Sequence, residues 1–474
     1  MPSVALVSYP ARLRSFVDAD PDRPAVTDEE GTVSRGELDR LANATARVLA
    51  GLGVVPGDRV TIALPNSVAF LATAIACWKL GAVPQPVSAR MPERELEAIV
   101  DLAAPRVAVR EALGVAGVDD GPLPDAVSAS WKAMTSGGST GRPKLIEATQ
   151  AAEIDPEARP TLLMRLDGTH LMPGPLYHNG PFVWTTTALL AGNHVVLGGR
   201  FDAERTLALV DRHRPDSLYV VPTMMHRISK LPADVRARYD VSSLRVVWHL
   251  AAPCPPWLKE EWIAWLGAEV IWELYAGTEA QAATVINGTE WLAHRGSVGR
   301  VDPALFTVVR DDGSDAAPGE IGEFYMRPSA DGTVQTYRYV GAEARTRPGG
   351  WESLGDMGSI DAEGYLYLAD RQTDMILTGG SNVYPAEVEA AIDEHPAVSS
   401  SAVIGLPDDD LGNRIHAIVQ TADGAALPID ALRDHLATRL VRYKIPRSFE
   451  FTADPLRDDA GKVRRSALRQ ERIG

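Results

Sequence analysis

Thr135-Ser136-Gly137-Gly138-Ser139-Thr140-Gly141-Arg142-Pro143-Lys144 packs three glycines, four hydroxyl residues and a terminal lysine into ten positions. Glycines let backbone N–H groups approach an anion with no Cβ in the way, hydroxyls add short donors, and Lys144 adds positive charge. That combination suits phosphate. A Gly/Ser stretch is often only a flexible surface loop, but the ordered ending Thr-Gly-Arg-Pro-Lys argues for a ligand. The loop is not of the Walker kind, which needs glycine directly before the lysine, where this chain has Pro143. A second charged feature lies at the C-terminus, where ten Lys and Arg stand against five Asp and Glu between Arg439 and Gly474. Such a lobe on an acidic chain would draw anionic ligands, although a solvated basic face is the plainer account.

The elements that must hold these residues alternate between helix and strand. Glu37 to Leu52 is an amphipathic run, Pro56-Gly57-Asp58 breaks it, and Arg59 to Leu64 reads as a short apolar strand. The alternation continues with a strand at His194 to Gly198, a helix at Ala203 to Arg212 and strands at Leu218 to Pro222 and Leu244 to Val247. Near-continuous apolar strands separated by helices mark parallel sheets covered on both faces, so the first ~370 residues read as a layered α/β body. Loops at the carboxyl ends of such strands are where ligands bind. Near Asp370 the elements become smaller: a helix from Pro385 to Glu394, strands at Ser401 to Leu406 and Ile415 to Gln420, a helix from Ile429 to Leu440 and a strand at Ser448 to Thr452. The expected division is a large N-terminal α/β body, residues 1–371, and a small α+β C-terminal domain, residues 372–474.

Composition narrows the function. The chain has 474 residues, and 47 Lys and Arg against 63 Asp and Glu give a net charge of −16, which repels phosphate backbones and acidic membrane surfaces. Nucleic acid is therefore not the expected partner. Cys77 and Cys254 are too few for a disulfide framework or a cysteine metal site, and a reducing, cytoplasmic setting fits best. The most apolar stretch, Ala69 to Trp78, falls far short of the ~20 residues a membrane span requires.

The ten-residue loop resembles the signature of the adenylate-forming superfamily of acyl-CoA synthetases, stand-alone adenylation enzymes and firefly-type luciferases. The resemblance runs in order from Thr32 to Arg469. Pro175-Leu176-Tyr177-His178-Asn179-Gly180 is similar to the family's acyl-pocket segment, which implies that Tyr177, His178 and Asn179 bind substrate together with Val221, Met225 and Gly277. Trp248 to Pro253 is similar to the small-residue loop lying against adenine, with Ala251, Ala252 and Pro253 in contact. Glu273-Leu274-Tyr275-Ala276-Gly277-Thr278-Glu279 resembles the Tyr-Gly-x-Thr-Glu motif, with Ala276 where glycine is usual. By that resemblance Tyr275 stacks on adenine, Thr278 binds a phosphate oxygen and Glu279 holds Mg2+. Asp356 and Arg371 take the ribose hydroxyls. The family pivots its small domain on an Asp or Lys two residues after that arginine, where this chain has Thr373. Gly379, Gly380 and Ser381 match the loop facing the pantetheine channel, and Lys462, in Gly461-Lys462, matches the lysine that bridges acyl carboxylate and α-phosphate.

The activity implied is a two-step ligation using ATP, Mg2+ and CoA. A carboxylate attacks the α-phosphorus to give acyl-AMP, with Lys462, Thr278 and Glu279 offsetting charge. The small domain then rotates and CoA takes the acyl group. Met224 and Met225 point to a hydrophobic acid, and the wording of the motifs is closest to ligases for fatty or bulky alicyclic acids such as bile-acid or terpenoid carboxylates. An amino-acid substrate is disfavoured because Leu171 to Trp184 has no acidic residue for an amine. Members of the family are often homodimers. Two alternatives share most of these motifs: a stand-alone adenylation enzyme loading a carrier protein, and a nucleotide-binding homologue without turnover.

Overall fold

The computed structural model describes residues 5–137, 143–371, 374–378, 381–408, 410–422, 427–458 and 461–473. The first long helix, Arg35–Gly51, is fixed by a reciprocal cap: the Ser34 hydroxyl accepts from the Glu37 N–H while the Glu37 carboxylate accepts from the Ser34 N–H. Helix Val68–Lys79 is apolar on every side and buried from Phe70 onward, as a helix between layers must be. An eight-stranded sheet runs in the order Ala283–Asn287, Ile271–Ala276, Val246–His249, Ser217–Val220, Thr169–Met172, His194–Leu197, Pro24–Thr27, Thr32–Ser34. From Pro24–Thr27 to Ile271–Ala276 every neighbour is parallel, and both edges are antiparallel. A smaller parallel sheet joins Val83–Pro86, Arg59–Ile62 and Val107–Val109.

The parallel reading does not extend to residue 370. From Ser297–Arg300 to Tyr365–Arg371 the chain forms an antiparallel seven-stranded sheet, apart from Tyr337–Val340, which leaves it to pair with Pro143–Ala148. The four residues between Asp356–Ile360 and Tyr365–Arg371 are enough for a hairpin and too few for a crossover helix. A second correction concerns the strand expected at Leu244 to Val247, which lies at Val246–His249, so His249 belongs to the sheet rather than to the loop after it. Beyond residue 374 a separate core forms around Val388, Ile392, Val403, Val419, Leu432 and Leu436. Strands Val398–Asp408 and Gly412–Thr421 pair antiparallel there, and Ser448–Thr452 adds in parallel. Among the described residues no helix is long and apolar enough to cross a membrane.

Candidate active site

The phosphate loop joins two paired strands. Ala133–Gly137 runs antiparallel to Pro143–Ala148, with Ser136 opposite Lys144 and Gly137 opposite Pro143, while Gly138, Ser139, Thr140 and Gly141 lie outside the described residues. Thr135 is pinned from below by Gln85, whose amide donates to the Thr135 hydroxyl at 2.8 Å. Lys144 donates to Glu279 Oε1 at 3.2 Å and to the Tyr339 hydroxyl at 2.9 Å, and its ammonium lies 4.0 Å from the Tyr339 ring centre. Tyr339 in turn donates to Glu279 Oε1 at 2.6 Å. It comes from strand Tyr337–Val340, the third strand of the phosphate-loop sheet, and its motif was not singled out in the sequence. Burial and the Glu279 carboxylate push its hydroxyl pKa upward, so it remains a donor.

The nucleotide side is assembled at the end of Ile271–Ala276. Tyr275 donates to Asp356 Oδ2 at 2.8 Å and packs edge-on against Phe324, and the backbone of Arg371 stands opposite Asp356 in the sheet register. Predicted adenine and ribose residues thus meet. Ala276 is exposed, Gly277 and Thr278 are half-buried, and Glu279 is buried. A Cβ on Gly277 would run into Leu354 Cδ1, so glycine is required there by close approach. The small-residue loop enters with Ala251 at φ +74°, a left-handed conformation that costs a non-glycine residue about 1 kcal/mol and concentrates at binding sites. Ala251 and Pro253 are exposed, with Ala252 between them. Glu273 points elsewhere: its carboxylate accepts from Lys259 at 2.6 Å and both side chains are buried, which leaves its backbone as the part open to a nucleotide, while Leu274 beside it is half-buried.

On the acyl side His178 precedes helix Asn179–Leu190, its ring 4.3 Å from that of Tyr177. Val221 and Met225 are both buried at the start of helix Pro222–Ser229. The C-terminal segment rests on this wall. Gly461 has φ +76°, and a Cβ there would stand 2.6 Å from Thr223 Oγ1 and 3.5 Å from Val221 Cγ2. Lys462, whose backbone N–H donates to Asp458, is therefore carried to the acyl side of the body. A buried carboxylate missed by sequence reasoning holds its loop: Glu389 accepts from Arg457 at 3.0 Å and from Arg465 at 2.8 and 2.9 Å. Arg465 also reaches Asp374, beside the expected hinge Thr373, which lies outside the described residues.

Ser381 pairs with Thr378 in a short hairpin, while Gly379 and Gly380 lie outside the described residues. The basic lobe is less available than its charge implied. Arg439, Lys444, Arg457, Arg465 and Arg472 are tied to Glu394, Glu387, Glu389 and Glu450, and Arg464 reaches Glu95 of the body. Among the described residues no group of three or more His, Cys, Asp or Glu could form a dedicated metal cage. A lone buried carboxylate does suit Mg2+ that takes its other ligands from phosphate and water, and Glu279 fits that description.

Comparison with known proteins gives the same assignment along the chain. A family model described as AMP-binding enzyme matches residues 13–132 and 124–337, and a model for the AMP-binding enzyme C-terminal domain matches residues 387–462. The chain is 32% identical to a feruloyl-CoA synthase of Amycolatopsis sp, covering 99% of each protein. It is 30% identical to the long-chain-fatty-acid–CoA ligase FadD13 of Mycobacterium tuberculosis, over 97% of this chain and 95% of that one. Among solved structures, the o-succinylbenzoate CoA synthetase of Bacillus subtilis in complex with its acyl-adenylate intermediate superposes with a TM-score of 0.81 at 23% identity, covering 98% of each chain.

Proposed function

The chain belongs to the AMP-binding enzyme family, with a large N-terminal α/β body and a C-terminal domain of its own, and from that premise we propose an ATP-dependent carboxylic acid–CoA ligase that activates a hydrophobic acid through acyl-AMP. The observation that carries the reading is the cluster of Lys144, Tyr339 and Glu279, which sets a phosphate-seeking cation against a metal-seeking carboxylate. A carboxylate oxygen of the acid forms a bond to the α-phosphorus as the bond to pyrophosphate breaks, and pyrophosphate leaves with the electron pair. Lys144 and Lys462 bear on the charge that develops, Thr278 donates to phosphate, and Asp356 and Arg371 hold the ribose beneath Tyr275. Glu279 would hold Mg2+ against the phosphates, where the ion supplies charge neutralisation. The boundary between large and small domains is drawn at 371/372, and the small domain turns about residues 373–374 for the second step. There the CoA thiol loses its proton to solvent and its sulfur bonds to the acyl carbonyl carbon as the carbon–oxygen bond to AMP breaks, AMP leaving with that electron pair; Ser381 with Gly379 and Gly380 would border the thiol's path.

The proposed hydrophobic character of the acid agrees with the apolar make-up of the two helices that begin at the acyl-segment residues, which carry Phe182, Trp184, Met224 and Met225. Relatives named for an aryl and a fatty acid agree with it. The test is pyrophosphate release with Mg-ATP across fatty, aryl and polycyclic acids, with and without CoA, analysed by mass. Acyl-CoA is the expected product. Acyl-AMP accumulating despite CoA would transfer the second step to a carrier protein, and no turnover with any acid would overturn the ligase.

A further inference from the structure

Lys132 sits three residues before the phosphate loop, immediately ahead of strand Ala133–Gly137. It is 5% exposed. Its carbonyl is held by Ala148 N–H at 3.0 Å and by the Ser130 hydroxyl at 2.9 Å, so the backbone is fixed. Its ammonium lies 4.8 Å from the Trp131 ring centre and donates to Asn179 Oδ1, on the residue that follows His178. Trp131 itself stacks on Phe182, one turn further along the same helix. Glu279 exerts an electrostatic pull on Lys132, but among the described residues no carboxylate lies within ion-pairing distance of it. Burial accordingly pushes its pKa down to about 7. A buried ammonium whose only polar side-chain partner among the described residues is a neutral amide is a poor structural element, because an amide does not return the free energy lost on removing the charge from water. The position becomes sensible if a second anion arrives. Helix start on one side and Glu279 on the other bracket the place where acyl group and phosphates must meet.

We infer that Lys132, tethered by Asn179, is the binding cation for the reacting carboxylate of the acid substrate. The inference rests on the ligase reading above and adds a residue to it. Lys132 belongs to the large body, so it stays with the acyl group when the C-terminal domain carries Lys462 away. The two lysines divide the work: Lys132 receives the carboxylate, and Lys462 acts on the adenylation step. The test compares charge with shape. Decanoate, ferulate and deoxycholate are first assayed for acyl-CoA formation, and the best of them is titrated calorimetrically beside its own primary amide, using full-length wild type and Lys132→Met. Wild type is expected to prefer the acid. Lys132→Met is expected to lose about 10- to 100-fold in affinity for the acid, the worth of a charge-assisted hydrogen bond, with affinity for the amide and for ATP retained. Acid and amide affinities falling together, or neither falling, overturns the inference while acyl-CoA formation by wild type leaves the ligase standing. If Lys132→Met does not fold, equal affinity of wild type for acid and amide overturns it. No acyl-AMP or acyl-CoA from any acid removes both readings at once.

Discussion

Replacing Tyr339 with phenylalanine removes one oxygen and keeps the ring. Beside the neighbouring Tyr337, the hydroxyl makes two contacts of different sign to charged groups: it donates to Glu279 Oε1 at 2.6 Å and accepts from Lys144 at 2.9 Å. Both partners are ionic, and a hydrogen bond to a charged group contributes about 1.5–3 kcal/mol. The ring remains 4.0 Å from the ammonium, so the cation–π contribution survives the substitution. What disappears is the group that fixes the direction of the carboxylate proposed to hold Mg2+. A loss of about 2 kcal/mol corresponds to roughly 30-fold in kcat/KM for Mg-ATP. Because Tyr339 touches neither Asn179 nor the Gly461 loop in the contacts described, the KM for the acid should hold. The direct assay is Mn2+ binding by electron paramagnetic resonance in the presence of a non-hydrolysable ATP analogue, run beside steady-state kinetics in each substrate. Weaker Mn2+ binding with an unchanged acid KM supports the reasoning. Unchanged Mn2+ affinity and unchanged kcat/KM for ATP in a folded Tyr339→Phe protein would refute the view that this hydroxyl positions the carboxylate.

Three further perturbations follow from the geometry. Gly461→Ala puts a Cβ 2.6 Å from Thr223 Oγ1 on a backbone at φ +76°, so acyl-AMP formation should fall by about tenfold or more while thioester formation from supplied acyl-AMP is retained, as separate half-reaction assays would report. Lys259→Met leaves the Glu273 carboxylate buried without its ammonium and should cost about 3–5 kcal/mol in denaturant unfolding, most of it restored in Lys259→Met/Glu273→Leu; a single variant as stable as wild type would contradict the pairing. Asp393 lies where the C-terminal domain meets the body, facing Lys230, Arg457, Glu389 and the Ser401 hydroxyl, and burial raises its pKa from 3.8 to about 6. Its folded pKa is above its unfolded one, so the folded state binds the extra proton and stability from this group is lost as pH rises from about 4 to about 6. Asp393→Asn should therefore raise unfolding free energy at pH 7.5 by on the order of 3 kcal/mol, read as a higher Tm, and leave it nearly unchanged at pH 4; equal effects at both pH values would sink the assignment.

The parts of the site legible in the sequence are those whose chemistry lies within one short string. Thr135 to Lys144 and Tyr275 to Glu279 each carry their donors and acceptors on consecutive residues, the first string spanning the paired strands Ala133–Gly137 and Pro143–Ala148 and the second running on from the end of Ile271–Ala276. Tyr339 and Lys132 lie outside such strings, for a physical reason. Tyr339 meets Lys144 across 195 positions because Tyr337–Val340 is the third strand on the phosphate-loop sheet, and strand pairing over that distance has no local signal beyond the alternation of Tyr337 and Tyr339. Lys132 reads as an ordinary charged residue until its burial is known, and burial is a property of the packed layers rather than of its neighbours. The same distinction accounts for the basic C-terminal lobe. Counting charges gave a surplus that should attract nucleotides, yet Glu387, Glu389, Glu394 and Glu450, most of them upstream of Arg439 in sequence, absorb much of it. Those pairings change what the lobe is for. Arg457 and Arg465, which flank Lys462 in sequence, converge on the one buried carboxylate of Glu389, so their charge fixes the segment that carries a single lysine. Long-range attraction of the anions is left to groups that remain solvated.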